Sequence, residues 1–148
     1  METKKPSERA LELFAAHYNC AQSVFAACAA EDELTEAQRL AIAAAFGGGM
    51  ARQGEVCGAL TGALMALGES GGKGMAVDPA AGRDAVYTEA GELMDRFRTA
   101  HGSLLCHELT GCRLNTEEGQ RAFKERNTRS EVCTKLIAFA ADEVAKIG

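Results

Sequence analysis

Six cysteines are the side chains of this sequence most suited to chemistry, and four of them occupy a similar position. Each of the four comes shortly after a residue that commonly begins a helix. They are Cys20, Cys57, Cys106 and Cys133, which follow Asn19, Gly54, Ser103 and Ser130. This pattern predicts that each thiol lies in the first turn of a helix. Free backbone N–H groups and the positive end of the helix dipole favour a thiolate there.

Helix ends alone cannot hold several buried thiolates together. A helix N-terminus stabilises a negative charge by about 0.3–1 kcal/mol, whereas burying an unpaired ion costs on the order of several kcal/mol. Converging thiolates must therefore bind a metal ion or cluster, be oxidised in pairs, or stay protonated as ordinary core residues. The first two outcomes are functional and the third is purely structural.

The cysteine spacing contains no local metal-binding motif. No C-x-x-C pair occurs, so neither a zinc ribbon nor a bacterial ferredoxin loop is predicted. Cys106-His107 resembles the end of a covalent haem motif, but Ser103 stands where that motif needs its first cysteine. Any shared site must therefore be assembled by the tertiary fold from distant parts of the chain.

The other two cysteines, Cys28 and Cys112, have different surroundings. Cys28 falls on an apolar stripe late in its helix, which predicts a small buried hydrophobe. Cys112 follows Gly111, close after Cys106. It could resolve a disulfide with Cys106, substitute as a metal ligand, or be an ordinary loop thiol.

The elements that position the cysteines are predicted to be helices. The 148 residues are rich in Ala, Leu and Gly, with two prolines and no tryptophan, which favours one all-α domain over residues 1–148. The segment Gly54–Gly68 is almost uncharged and is predicted to be the buried central helix of a bundle.

Three glycines of that central segment, Gly54, Gly58 and Gly62, recur every fourth residue and would share one helical face. Each costs about 1 kcal/mol relative to alanine inside a helix, so close approach of a backbone or a ligand should offset the cost. The glycine face could meet another helix of this chain or a second copy, which makes a homodimer one predicted arrangement.

Composition also excludes several function classes. The net charge is −5 without a basic stripe, so no nucleic-acid partner is expected. No segment is long and apolar enough for membrane insertion, and the start Met1–Pro6 lacks an apolar signal core, so a cytoplasmic location is expected. In a reducing compartment six cysteines indicate metal binding or redox activity. Three structural disulfides in an exported protein are the alternative.

A glycine run lies between the central segment and the predicted helix that precedes it. Gly47-Gly48-Gly49 can end that helix and allow positive φ angles. A phosphate-binding loop is disfavoured, because no Lys-Ser or Lys-Thr follows and no strand precedes it. Arg52, just beyond, could offset thiolate charge.

Three stretches of the sequence together resemble the C_GCAxxG_C_C family. They are Asn19–Val24, Phe46–Arg52 and Gly54–Ala63, the last of which contains Cys57-Gly58-Ala59-Leu60-Thr61-Gly62. In this resemblance Cys20 matches the first cysteine of the family pattern, and Cys106 and Cys133 match the last two. The likeness runs from about Cys20 to the final helix. Redox activity is ascribed to this bacterial and archaeal family, and similar domains in split-Soret cytochromes carry an iron–sulfur centre.

The resemblance implies an iron–sulfur cluster for electron transfer or redox sensing, with an unidentified redox partner protein. Its ligands would be Cys20, Cys57, Cys106 and Cys133, and Gly58 would let the neighbouring backbone approach. A metal-free thiol–disulfide protein is the first alternative, and a structural or transport-related zinc or copper site is the second. Either redox role is compatible with oxidoreductase activity, although no substrate is indicated.

Overall fold

The structure, a computed structural model, describes residues 4–29 and 33–147. Within them eight α-helices pack around one core, which confirms the predicted all-α, single-domain fold. The helices are α1 (Pro6–Ala15), α2 (Cys20–Cys28), α3 (Glu36–Ile42), α4 (Gly58–Gly71), α5 (Pro79–His101), α6 (Cys106–Thr110), α7 (Glu117–Glu125) and α8 (Thr134–Ile147). Short 3₁₀ segments cover Ala44–Phe46 and Gly72–Ala76, and a π-helical turn covers Arg129–Cys133.

Capping residues determine where α2 and α3 begin. The Asn19 side chain accepts a hydrogen bond from the amide of Gln22 at 2.9 Å, and the Gln22 side chain accepts one from the Asn19 amide at 2.9 Å. Thr35 and Gln38 form the same reciprocal pair at the start of α3. These capping boxes satisfy otherwise free amides and set the helix entry. Both caps were predictable from sequence, and the first places Cys20 at the first position of α2.

Helix α4 is the buried centre of the fold, and it packs on α2, α5 and α8. Its glycines allow α2 to approach closely, because a Cβ added at Gly62 would lie 2.5 Å from the carbonyl oxygen of Ala21. A Cβ at Gly58 would lie 3.0 Å from the amide nitrogen of Ala21. The glycine face is therefore filled by a helix of the same chain, and the homodimer stays a prediction.

The predicted start of the central helix was wrong. Helix α4 begins at Gly58, and Gly54 lies outside it with a φ of 75°. Residues 54–57 instead pair their backbone with residues 104–107, which keeps residues 54–57 out of the helix. The predicted three-glycine helical face thus reduces to Gly58 and Gly62.

A buried ion pair connects helix α3 to α4. Arg39 is 3 % exposed, and its Nη2 lies 2.9 Å from Oε1 of Glu69. Ala44 and Ala45, which follow α3, are exposed. In the part of the chain that the structure describes, no helix has both the length and the apolar character needed to cross a bilayer.

Candidate functional site

The structure brings four cysteines from separate parts of the sequence to one cleft of about 830 Å³. They are Cys20, Cys57, Cys106 and Cys133. The last three are only 4 %, 7 % and 6 % exposed, and Cys20 is half-buried. The remaining two cysteines do not line this four-cysteine cleft. The convergence expected from the sequence is therefore a feature of the fold.

A short antiparallel pairing of two loops fixes Cys57 beside Cys106. Val56 and Leu105 form an isolated β-bridge. The amide of Cys57 donates to the carbonyl of Leu104 at 2.8 Å. The amide of Cys106 donates to the backbone carbonyl of Glu55 at 2.7 Å. Both cysteine backbones thus belong to the same hydrogen-bonded ladder, although 48 residues of chain lie between Cys57 and Cys106.

A left-handed turn over residues 48–52 forms one wall of the cleft. Gly48, Gly49, Met50, Ala51 and Arg52 have φ angles of 65°, 69°, 65°, 51° and 65°. Of the three glycines expected to allow this conformation, Gly48 and Gly49 adopt it and Gly47, with a φ of −72°, does not. The sequence did not predict it at the three residues that follow Gly49. It costs roughly 1–2 kcal/mol for each non-glycine residue, and strained backbone of this kind concentrates at functional sites.

Gly49 and Gly58 allow two of the cysteines to reach the cleft. A Cβ added at Gly49 would lie 2.7 Å from the Cβ of Cys106, which is closer than real side chains approach. A Cβ added at Gly58 would lie 3.0 Å from the Cβ of Cys20. Each glycine therefore removes a side chain that would push a cysteine away. The close approach expected at Gly58 agrees with this packing. The contact between Gly49 and Cys106 was not predicted from the sequence.

The predicted positions in a first helical turn were right for Cys20 and Cys106, which begin α2 and α6. Cys57 is instead the N-cap of α4, directly before its first residue. The prediction was wrong for Cys133, which ends a π-helical turn that runs without interruption into α8. Its helical segment begins at Thr128, because Ser130 is inside the turn rather than a cap. Such turns are rare and often occur at functional sites.

Burial suppresses ionisation of two of the thiols. It raises the pKa of Cys57 to about 12, and the amides of Ala59 and Leu60 offset part of this rise. Burial also raises the pKa of Cys106 to about 11, with a further contribution from Cys133. Without a bound cation, both thiols are therefore protonated at neutral pH.

Cys20 and Cys133 behave as an interacting pair. The thiol of Cys20 donates to Cys133, which raises the pKa of Cys20 and lowers that of Cys133. The positive charge of Arg129 lowers the pKa of Cys133 further. The guanidinium of Arg129 lies 3.6 Å from the centre of the Phe14 ring and donates to the Phe14 carbonyl. Of the four thiols, Cys133 is thus the one most readily ionised.

Cys28 and Cys112 lie outside the cleft. Cys28 is half-buried, and its Sγ donates only a weak contact of 3.9 Å to the carbonyl of Ala141, in keeping with the predicted apolar role. Cys112 is 2 % exposed, and its Sγ lies 3.5 Å from the carbonyl of Thr110. All six cysteines are free thiols here, so neither cysteine is part of a disulfide.

The donor set of the cleft suits a soft metal centre. Four thiols face it, and no Asp, Glu or His side chain is among the described residues that line it. Within the described part of the chain, no group of three or more His, Cys, Asp or Glu side chains is already arranged to hold a metal ion.

Comparison with known proteins supports the resemblance seen in the sequence. Residues 18–147 match the C_GCAxxG_C_C family, whose description reads "Putative redox-active protein". No curated protein and no solved structure matches the chain significantly. The family match covers all four cysteines of the cleft and both core glycines of α4. The chain therefore belongs to the C_GCAxxG_C_C family.

Proposed function

We propose that the four-cysteine cleft is a redox centre in which an iron–sulfur cluster is held by Cys20, Cys57, Cys106 and Cys133. The observation that carries the proposal is the convergence of four thiols, delivered by separate elements, on one cleft. Four cysteine ligands are the usual set for both two-iron and four-iron clusters. A bound cluster would supply one-electron transfer, either to a partner protein or as a redox signal.

The chemistry of the buried thiols supports a bound cation. Cys57 and Cys106 are poor nucleophiles as free thiols, because burial raises the pKa of both groups. Metal coordination removes the proton from a thiol and supplies the positive charge that a buried thiolate lacks. Their burial, which disfavours simple thiol chemistry, is thus compatible with a role as ligands.

Neighbouring residues would tune such a centre. The amides of Ala59 and Leu60 are directed to the sulfur of Cys57 and favour its thiolate form. Hydrogen bonds to ligand sulfurs raise the reduction potential of a cluster, as does nearby positive charge. Arg129 supplies that charge beside Cys133. The low exposure of three of the cysteines also limits access of water and oxidants.

The proposal is tested by purifying the full chain without oxygen and measuring its visible absorption, iron and acid-labile sulfide. We expect broad visible absorption that fades on reduction, with iron and sulfide in equal amounts on the order of 2–4 per chain. Protein that stays colourless and iron-free after anaerobic reconstitution with iron and sulfide would overturn the cluster. Stoichiometric zinc in the same sample would favour a structural metal site.

One specific observation favours a second function, a metal-free dithiol. The thiols of Cys20 and Cys133 interact directly, and Cys133 is the readily ionised member. The thiolate of Cys133 would attack a small disulfide and release one thiol. Cys20 would then displace the second thiol, which leaves a Cys20–Cys133 disulfide and transfers two electrons to the acceptor.

Peptide mapping after mild oxidation separates the two functions. For the dithiol, metal-free protein treated with a small disulfide gives one crosslinked peptide pair containing Cys20 and Cys133, reversed by a dithiol reductant. Absence of that pair, or scrambled linkage among all the cysteines, counts against the second function.

A further inference from the structure

Positive charge is concentrated around the four-cysteine cleft. Three cationic side chains line it, those of Arg52, Lys124 and Arg129, and none of the described lining residues is Asp or Glu. The whole chain has a net charge of −5, so this lining differs in sign from the chain as a whole. A cleft lined by one sign of charge attracts a ligand of the opposite sign.

One of these cations already acts on a thiol, and the other two do not. Arg129 lowers the pKa of Cys133 and is held by Phe14. Neither Arg52 nor Lys124 is among the causes that shift the pKa of the four cleft cysteines. Within the described residues neither of the two takes part in an ion pair. Their charge is therefore available to a ligand that is separate from the sulfur atoms.

The backbone of Arg52 is held in an uncommon conformation at the cleft. Its φ is 65°, and its amide donates to the carbonyl of Gly47 at 3.1 Å. The turn closes so tightly that a Cβ added at Gly48 would lie 2.9 Å from the Cα of Arg52. A left-handed arginine is energetically unfavourable and tends to occur where a ligand or reaction requires it.

We propose that the cleft binds a small molecule bearing a carboxylate or phosphate group, held by Arg52 and Lys124 beside the thiols. The inference rests on the proposed function and deepens it, because it names the class of small molecule that the redox centre meets. The cleft volume of about 830 Å³ lies within the range of roughly 300–1,000 Å³ typical of small-ligand sites. A guanidinium donates two parallel hydrogen bonds to either oxyanion, and a lysine adds a mobile point charge.

The test is isothermal titration of the anaerobically purified full chain with inorganic phosphate and, separately, with succinate. A buffer of low ionic strength keeps screening small. We expect at least one probe to bind. Arg52→Gln and Lys124→Gln should each weaken binding roughly 10-fold, as expected for loss of a charge-assisted hydrogen bond. Comparison of the two probes shows whether phosphate or carboxylate is the preferred group.

Two control variants make the same charge changes outside the cleft. Arg121→Gln lies on α7 with Lys124, and Lys135→Gln lies on α8; both side chains are exposed and neither lines the cleft. Binding in both controls should stay within about twofold of the wild type. Equal weakening in controls and cleft variants would show that net charge alone is responsible and would overturn the proposed site, as would failure of both probes to bind.

Iron and sulfide are measured on the same samples, so the two proposals fail independently. Iron-loaded protein that binds neither probe overturns the anion site and leaves the redox centre standing. Iron-free protein that binds a probe through Arg52 and Lys124 overturns the iron–sulfur cluster and leaves the anion site standing. Circular dichroism of each variant checks that its helices are intact.

Discussion

Val56 and Leu105 form one antiparallel bridge, and each is followed directly by a cysteine of the cleft. The bridge brings together two loops that are distant in sequence. Because the amides of Cys57 and Cys106 are hydrogen-bonded within this pairing, the side chains that follow have little freedom to separate. Two of the four thiols are thus positioned by backbone hydrogen bonds, before any metal or disulfide is considered.

Substitution of Gly49 tests whether backbone space at the cleft matters for the thiols. The alanine in Gly49→Ala must adopt a φ of 69°, and its Cβ would lie 2.7 Å from the Cβ of Cys106. We expect a loss of about 1–2 kcal/mol in the free energy of unfolding and a severalfold loss of bound iron. Denaturant titration and iron analysis measure the two effects.

The matched control for that experiment is Gly102→Ala. Gly102 has a φ of 86°, but a Cβ added there meets nothing within 4 Å. It should lose about 1 kcal/mol of stability from backbone strain and keep its iron. If both variants lost iron equally, general destabilisation rather than displacement of Cys106 would be the cause.

Two glycines of α4 should respond to alanine in opposite directions. In Gly62→Ala the new Cβ would lie 2.5 Å from the carbonyl of Ala21, which is backbone and cannot rotate away. We expect a destabilisation of about 1–3 kcal/mol. Gly68→Ala meets nothing within 4 Å and should stabilise the helix by about 0.5–1 kcal/mol. Urea denaturation followed by circular dichroism measures both, and a stabilising Gly62→Ala would contradict the close contact of α2 with α4.

Alkylation kinetics test the ionisation of the cleft thiols in metal-free protein. Only a thiolate reacts quickly, and the pKa of Cys133 is lowered whereas that of Cys57 is raised to about 12. At pH 8 iodoacetamide should therefore modify Cys133 first and Cys57 much later. The rate at Cys133 should fall as the pH is lowered through its pKa. Mass spectrometry of digested samples identifies each modified residue.

Arg129→Gln should move the pH profile of Cys133 to higher pH, because the charge that favours its thiolate is removed. Arg126→Gln is the control, since Arg126 is exposed and does not line the cleft. An unchanged profile in Arg129→Gln, or an equal shift in both variants, would exclude a specific effect of Arg129 on Cys133.

Local signals in the sequence were sufficient for much of the fold. The caps at Asn19 and Thr35 indicated where α2 and α3 begin, because the determinants of a cap lie within a few residues. Cys20 was placed correctly for the same reason. The apolar surroundings of Cys28 likewise indicated a position away from the shared site.

Features that depend on distant contacts could not be predicted from the sequence. Gly54 was assigned to a helix because its spacing from Gly58 suited one, but pairing with residues 104–107 holds it outside. The left-handed Met50–Arg52 backbone and the π-helical turn before α8 have no local residue preference that would indicate them. The left-handed backbone and the π-helical turn both position residues of the cleft. The backbone conformation of the site was therefore less predictable than the identity of its cysteines.

Iron per chain in single cysteine variants is the measurement that most directly tests whether distant thiols form one centre. After identical anaerobic reconstitution, alanine variants of Cys20, Cys57, Cys106 and Cys133 should each lose most of their iron and visible absorption. Cys28→Ala and Cys112→Ala should match the wild type, because neither cysteine lines the cleft. Full loading in all four cleft variants, or equal loss in the two controls, would contradict a shared four-cysteine centre.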